Sequence, residues 1–269
     1  MNLFSLLFRR KKREYKIGLA LGSGGAKGFA TLGALSAFEE NGITFDVIGG
    51  TSIGSIIGAF YADGYSCSNI LDILKRVDFS EITNLFMIGM DTSKLKEVID
   101  RNIGYKNIEE LKKPFLAVAT ELDSGEEKVL YKGSVGQALS ASSSYPPFFK
   151  PVIIDGKRYI DGAFVNSVPA DRVIELGADY VVGVDLSDHN PEKSLLEKIF
   201  PTYKGKTDTP WAKGYENCNV MIHPDLKGYK AISFKDGDEM FEIGYNEAQK
   251  YVNVIKNDIE KLKKGKYIR

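Results

Sequence analysis

Gly50-Thr51-Ser52-Ile53-Gly54 places a serine between glycines where an apolar strand turns sharply into a helix. Phe45-Asp46-Val47-Ile48 reads as a short buried strand, and residues 55–62 continue as a helix until Gly64 stops it. A turn this tight brings backbone and neighbouring elements too close for side chains, which is the reason for glycine on both sides. Ser52 then projects its hydroxyl at a helix N-terminus, where unpaired N–H groups and the positive dipole end favour a developing oxyanion. Gly and Ser are also ordinary turn residues, so the weight of the pattern depends on two further segments.

Gly22-Ser23-Gly24-Gly25-Ala26-Lys27-Gly28 follows a strand over 16–21 and opens directly into a helix over about 26–41, which Gly42 ends. That arrangement presents backbone N–H groups to an anion. Nucleotide binding is the rival reading, but Rossmann spacing from Gly22 and Gly24 asks for glycine where Lys27 stands. Walker spacing fails as well, because Lys27 precedes Gly28 and no Gly-Lys-Ser/Thr follows. In the third segment, Arg158-Tyr159-Ile160-Asp161-Gly162-Ala163, a strand delivers Asp161 at its end and Gly162 permits a tight turn. Asp161 is a candidate base, and Asp-Gly by itself is equally a turn signal.

In this order the three segments resemble the patatin-like phospholipase family, whose pattern is a glycine-rich oxyanion loop with Lys or Arg, a G-x-S-x-G nucleophile and a D-G-[GA]. The resemblance continues through residues 138–142, 145–152, 166–170 and 176–184, and covers roughly 16–186. It implies that Ser52 is the nucleophile and Asp161 its base, a dyad without histidine. It also implies an oxyanion held by the amides of Gly24, Gly25 and Ile53, with Gly22, Lys27, Gly28, Gly50, Gly54 and Gly162 as supporting motif residues. The implied activity is hydrolysis of a phospholipid, lysophospholipid or other acyl ester, with no cofactor and no metal. The same acyl-enzyme serves an acyltransferase, and a lipid-binding regulatory protein with weak turnover is the third alternative. Ser23 departs from the glycine often found there, adding a Cβ and a hydroxyl near the oxyanion donors. Only His189 and His223 are present, so a Ser-His-Asp triad through His189 stays open beside the dyad. Lys27 either orients its loop or meets a substrate phosphate.

The elements that must position these groups alternate between short β-type runs and longer helical ones. Further strands are expected over 115–120, 128–131 and 180–185, several of them continuously apolar. Such strands fit a largely parallel sheet with helices on both faces, a three-layer α/β/α sandwich. Residues 66–110 depart from the rhythm, with helices expected over 69–77 and 93–102 around Phe86-Met87-Ile88-Gly89-Met90, and form either a lid or plain core. The stretch 187–217 reads as a long loop, and 238–263 as one amphipathic helix packing on the same domain.

With 269 residues, 43% of them hydrophobic, the chain is long enough to bury a core as one domain. Lys plus Arg equals Asp plus Glu at 36 each, so no basic field argues for nucleic acid. Cys67 and Cys218 are too few for a disulfide framework, and no C-x-x-C spacing suggests zinc. No apolar run approaches the ~20 residues that cross a bilayer. The apolar residues 1–8, followed by Arg9-Arg10-Lys11-Lys12-Arg13, reverse the charge order of a secretory signal. The expected location is cytoplasmic, with the tail over 1–16 either a frayed terminus or a peripheral anchor at the inner membrane face.

Overall fold

The computed structural model describes residues 14–76, 89–189 and 209–265. The basic tail up to residue 13, residues 86–88 of the apolar insertion and residues 190–208 of the long loop lie outside the described residues.

The apolar run Ile17–Leu21 forms β1, wholly buried at the centre of the sheet. It pairs in parallel with β2 (Val47–Thr51) on one side and β7 (Tyr180–Val184) on the other. β2 pairs in parallel with β3 (Phe115–Glu121), and β7 with β8 (Val220–Ile222). Beyond β3 the pairing turns antiparallel through β4 (Glu127–Leu130), β5 (Val152–Ile154) and β6 (Lys157–Asp161). The eight strands make one mostly parallel sheet, connected in the order β5-β6-β3-β2-β1-β7-β8, with β4 also on β3.

The register around β3 fixes the site. β2 lies opposite Phe115 to Val118, and β6 lies opposite Ala119 to Glu121. β4 pairs Ala117 to Thr120, overlapping both, so it occupies the other edge. β2 and β6 therefore share one edge of β3 in tandem. Where β2 stops at Thr51, opposite Val118, β6 takes over with Asp161, opposite Ala119.

Side chains alternate across the sheet and each face has its own helical cover. Leu19, Leu21, Ile48, Phe115 and Val182 pack in the large core with α1 (Gly28–Glu40), α2 (Ile53–Ala62) and α3 (Cys67–Arg76). On the opposite face Ala20, Val47 and Val181 meet Val173 of α6 (Ala170–Glu175), while Leu116 and Val118 meet Val165. Two helices between these in sequence, α4 (Ser93–Ile103) and α5 (Val135–Ser142), add buried apolar residues to the large core. The three layers expected from the sequence are present, the first helical cover much thicker than the second.

Three elements differ from their sequence reading. β2 begins at Val47 and runs through Gly49 and Gly50, because those glycines let Val173 and the carbonyl of Gly54 approach the strand. The end of the expected loop is helical, α7 (Ala212–Asn217), followed by β8. The expected C-terminal helix is two, α8 (Gly237–Gln249) and α9 (Val252–Lys263). At the break Lys250 and Tyr251 donate three residues back, to Glu247 and Ala248, which tightens the turn and lets Val252, Ile255 and Leu262 bury. Among the described residues no helix is long and apolar enough to cross a membrane.

α8 lies directly on α1. A Cβ at Gly33 would stand 1.9 Å from the Phe241 carbonyl oxygen, and one at Gly244 would stand 1.9 Å from that of Ala30. Backbone touches backbone at this crossing, so Gly33→Ala and Gly244→Ala must push the helices apart. Alanine regains up to about 1 kcal/mol of helix propensity, against an overpacking cost of about 1–3 kcal/mol. Each variant is expected to lower the midpoint of thermal unfolding; an unchanged or raised midpoint shows that the crossing yields freely.

Candidate active site

Ser52 is the hinge between β2 and α2, at φ 55° and ψ −126°. That conformation is sparsely populated for a residue with a side chain and costs about 1–3 kcal/mol. Its neighbours hold it there. A Cβ on Gly50 would stand 2.3 Å from the Gly54 carbonyl oxygen, and one on Gly54 would stand 2.3 Å from that of Leu21. The Ser52 amide donates to the Ser142 hydroxyl (2.9 Å), which donates in turn to the Val118 carbonyl (2.6 Å). Buried Thr51 adds a hydrogen bond to the Asn166 carbonyl (2.8 Å).

Asp161 ends β6 and is almost wholly buried. The Ser52 hydroxyl is near enough to its carboxylate to favour the ionised form. The Ala163 amide donates a hydrogen bond to it, at 2.8 Å. The strand end is pinned by Thr120, whose hydroxyl bonds the Asp161 carbonyl (2.8 Å), and by the Asp161 amide on the Ser144 carbonyl (3.1 Å). Gly162 has no room for a side chain, since a Cβ would stand 2.3 Å from the Val118 carbonyl oxygen and 3.0 Å from a Thr51 methyl. Burial pushes the Asp161 carboxyl up to about 7, against the opposing pull of these two contacts.

The glycine loop lies across the start of α2. A Cβ at Gly28 would stand 2.4 Å from the Ile53 side chain. Four of the loop's amides are occupied: Gly22 on the Val184 carbonyl (2.8 Å), Ser23 on Ser167 (3.1 Å), Ala26 on Ala231 (2.7 Å) and Lys27 on Gly24 (3.1 Å). Among the described residues the amides of Gly24 and Gly25 have no acceptor, and neither has that of Ile53 in the first turn of α2. Gly24 and Gly25 are also part-exposed, so these donors are open to a ligand. The Ser23 hydroxyl faces the Ser167 hydroxyl at 2.8 Å, a seat on a neighbouring segment. The Lys27 ammonium, on a buried stem, pairs with Asp188 at 2.7 Å and thereby ties the loop to the segment after β7.

The structure thus gathers Ser52, Asp161, Gly24, Gly25 and Ile53 with their supporting glycines. His189 is bonded elsewhere, its Nε2 lying 2.5 Å from the Asp185 carboxylate. Two supports escaped the sequence reading. Ser142 lies in a Ser- and Ala-rich helix with no signal that marks its hydroxyl as a bridge. Ala231 accepts the Ala26 amide and sits where a Cβ on Gly25, at φ 56°, would collide with its carbonyl oxygen at 2.3 Å. Nothing in its residue type announces that contact.

Comparison with known proteins identifies the family and the fold. The sequence profile described as patatin-like phospholipase matches residues 19–174. Patatin-like phospholipase domain-containing protein 6 of Mus musculus is 28% identical over 275 residues, covering 85% of this chain and 20% of that protein. Lysophospholipase nte1 of Aspergillus fumigatus is 25% identical over 282 residues, covering 90% of this chain and 18% of its own. The chain therefore spans about a fifth of the length of these relatives. The crystal structure of VipD from Legionella pneumophila has the same fold, with a TM-score of 0.58 at 14% identity, covering 90% of this chain and 68% of that one. Since the profile spans more than half of its residues, this chain belongs to the patatin-like phospholipase family.

Proposed function

We propose that this protein is a serine lipid acyl hydrolase of the phospholipase or lysophospholipase type, with Ser52 as nucleophile and Asp161 as its base. The observation that carries the reading is the register on β3, which sets Ser52 at the end of β2 next to the buried Asp161 at the end of β6, beside three amides that lack acceptors among the described residues. The Ser52 oxygen attacks the ester carbonyl while its proton passes to Asp161. The tetrahedral oxyanion rests on the Gly24, Gly25 and Ile53 amides, each such donor contributing about 2.7–4 kcal/mol where comparable ones have been removed. Asp161 gives the proton to the leaving alkoxide, and the alcohol departs. Water then loses a proton to Asp161 and attacks the acyl-enzyme, and the fatty acid leaves as the proton returns to Ser52.

An ordinary aspartate, with a pKa about 3.9, is a poor base for an alcohol at neutral pH. Burial lifts Asp161 into the range where general bases work best. Lys27 takes the part of loop orienter, because its ammonium is already engaged by Asp188.

A fluorophosphonate probe is expected to label Ser52, and Ser52→Ala and Asp161→Asn are each expected to lower ester turnover by at least about 10³-fold. If His189→Ala loses rate and labelling as fully as Ser52→Ala does, the dyad gives way to a triad.

Because Asp161 must be ionised to act, kcat/KM is expected to rise with pH through one ionisation near 7 and level off above it. The same shift has a consequence for stability. The folded carboxyl keeps its proton to about 7 while the unfolded one releases it near the ordinary value of 3.8, so stability falls as pH rises between the two. Asp161→Asn is expected to melt above the parent protein at pH 8, with the difference vanishing toward pH 4. A rate profile with its midpoint near 4, or equal melting at pH 8, overturns the proposed buried base.

Glycine adopts the Ser52 conformation without strain, whereas alanine retains it. Ser52→Gly and Ser52→Ala both lack the hydroxyl, yet the glycine variant is expected to be more stable by roughly 1 kcal/mol in denaturant unfolding. Equal stability means that the elbow is not strained.

A further inference from the structure

A second cluster of reactive side chains lies at the end of the sheet, on the segment that flanks the glycine loop. β7 and β8 are parallel neighbours, with Val184 opposite Ile222 and the Asp185 amide on the Ile222 carbonyl (2.9 Å). Asp185 and His223 are the first residues beyond these paired ends, so the two strands deliver their side chains together. The chain then turns back at His189, whose backbone is left-handed at φ 46°, and brings a second imidazole to the same place. The Asp185 Oδ2, His189 Nε2 and His223 Nδ1 atoms belong to a group whose ligand atoms all lie within 4.8 Å of one another.

We infer that Asp185, His189 and His223 form a binding site for a divalent transition metal ion of the zinc class. Two imidazoles and one carboxylate are a donor set such ions favour, and the nitrogen ligands select against magnesium and calcium. The Asp185 side chain is completely buried; the Ser187 amide and hydroxyl hold its Oδ1 at 3.0 and 2.8 Å, and its Oδ2 meets the Ser187 hydroxyl at 3.0 Å and His189 Nε2 at 2.5 Å. Outer contacts of this kind orient metal ligands. The His223 Nδ1 is buried without a hydrogen bond, and at 3.6 Å from Oδ2 it stands beyond hydrogen-bonding reach. Its contact among the described residues is this long ion pair with Asp185, and a metal ion at the usual distance of about 2.0–2.1 Å would use its lone pair instead.

The rings are also held in place. His189 stacks on Trp211 with centroids 4.4 Å apart at 16°, meets Tyr215 edge-on at 5.1 Å, and lies 4.7 Å from the His223 ring at 33°. Ligands around zinc stand about 3.3 Å from one another at tetrahedral geometry, so coordination would open the 2.5 Å contact between Asp185 and His189 and draw in the wider separations, which reach no more than 4.8 Å. Between the ligands Asp185 and His189 the chain carries Leu186, which a Cβ on Gly24 would strike at 2.8 Å, and Asp188, which holds Lys27. A bound ion would tie down the segment that backs the glycine loop. The metal site does not depend on the hydrolase reading.

Chelator-stripped protein titrated with ZnCl₂ against a chromogenic chelator is expected to bind one equivalent with submicromolar affinity and to melt higher as zinc is added. Cobalt(II) in place of zinc should give the visible absorption of a four- or five-coordinate site. His189→Gln and His223→Gln are each expected to weaken zinc at least about 100-fold, as large as or larger than the effect of losing an outer contact. Circular dichroism of the metal-free variants checks that both fold. Cys218→Ser should bind as the parent does. The inference is overturned if the parent protein binds zinc only above about 100 µM, if the double histidine variant binds as well as the parent, or if Cys218→Ser alone abolishes binding.

Discussion

One edge of β3 is occupied by two strands in succession, and the rest of the site follows from that tenancy. β2 covers Phe115 to Val118 and must leave the sheet at Thr51, because β6 already occupies the next positions with Asp161 opposite Ala119. A strand that stops abruptly while its helix starts over the sheet has a single residue in which to reverse direction. That residue is Ser52, held at a positive φ. Three backbones converge there, which is why a side chain on Gly50, Gly54 or Gly162 would meet a carbonyl oxygen at 2.3 Å. The contact between hydroxyl and carboxylate is thus a consequence of sheet register, with no flexible arm needed to join residues more than one hundred positions apart.

Register also decides the chemistry of the carboxylate. Asp161 arrives at the buried end of β6, where water is excluded and its stabilising partners are a hydroxyl and an amide. Desolvation outweighs those stabilising contacts and lifts the carboxyl to about 7. A cation placed alongside would have done the opposite, holding the carboxylate ionised and weakly basic. Both the carboxylate and the strained serine are destabilising, each on the order of a few kcal/mol. The surrounding core offsets them readily, since fully burying one large apolar side chain contributes about 1.5–3 kcal/mol.

Much of this was legible in the sequence, for definable reasons. The glycines around Ser52 and in the 22–28 loop occur where backbones collide, so residue type and geometry are directly coupled. The continuously apolar runs at 17–21 and 180–184 marked strands covered on both faces. Tandem pairing on β3 left no such trace, because an antiparallel strand such as Lys157–Asp161 carries no mark of which edge it joins. The break at Lys250 and Tyr251 was equally silent, with neither proline nor glycine at the turn and an apolar stripe running through it. The grouping of Asp185, His189 and His223 left no trace in the sequence, because they become neighbours only through the pairing of β7 with β8. Ser142 and Ala231 act through a hydroxyl bridge and a main-chain carbonyl, and such roles are nearly independent of composition.

The family match ends at residue 174, but the physical unit does not. β1 would be an open edge without β7, whose strand begins at Tyr180, and the Gly22 amide would lose the Val184 carbonyl. The Ala26 amide relies on Ala231, and the helix that follows the glycine loop is covered by α8 at backbone contact through Gly33 and Gly244. A glycine-rich loop is the segment least able to hold its own shape, because each glycine brings the greatest conformational freedom. Its amides point outward in one arrangement only while β7, Ala231 and α8 restrain it from behind. The C-terminal third, which carries none of the recognised motifs, is therefore part of the glycine loop's construction, and a chain cut at the end of the match would keep Ser52 and Asp161 while losing the supports of the loop beside them.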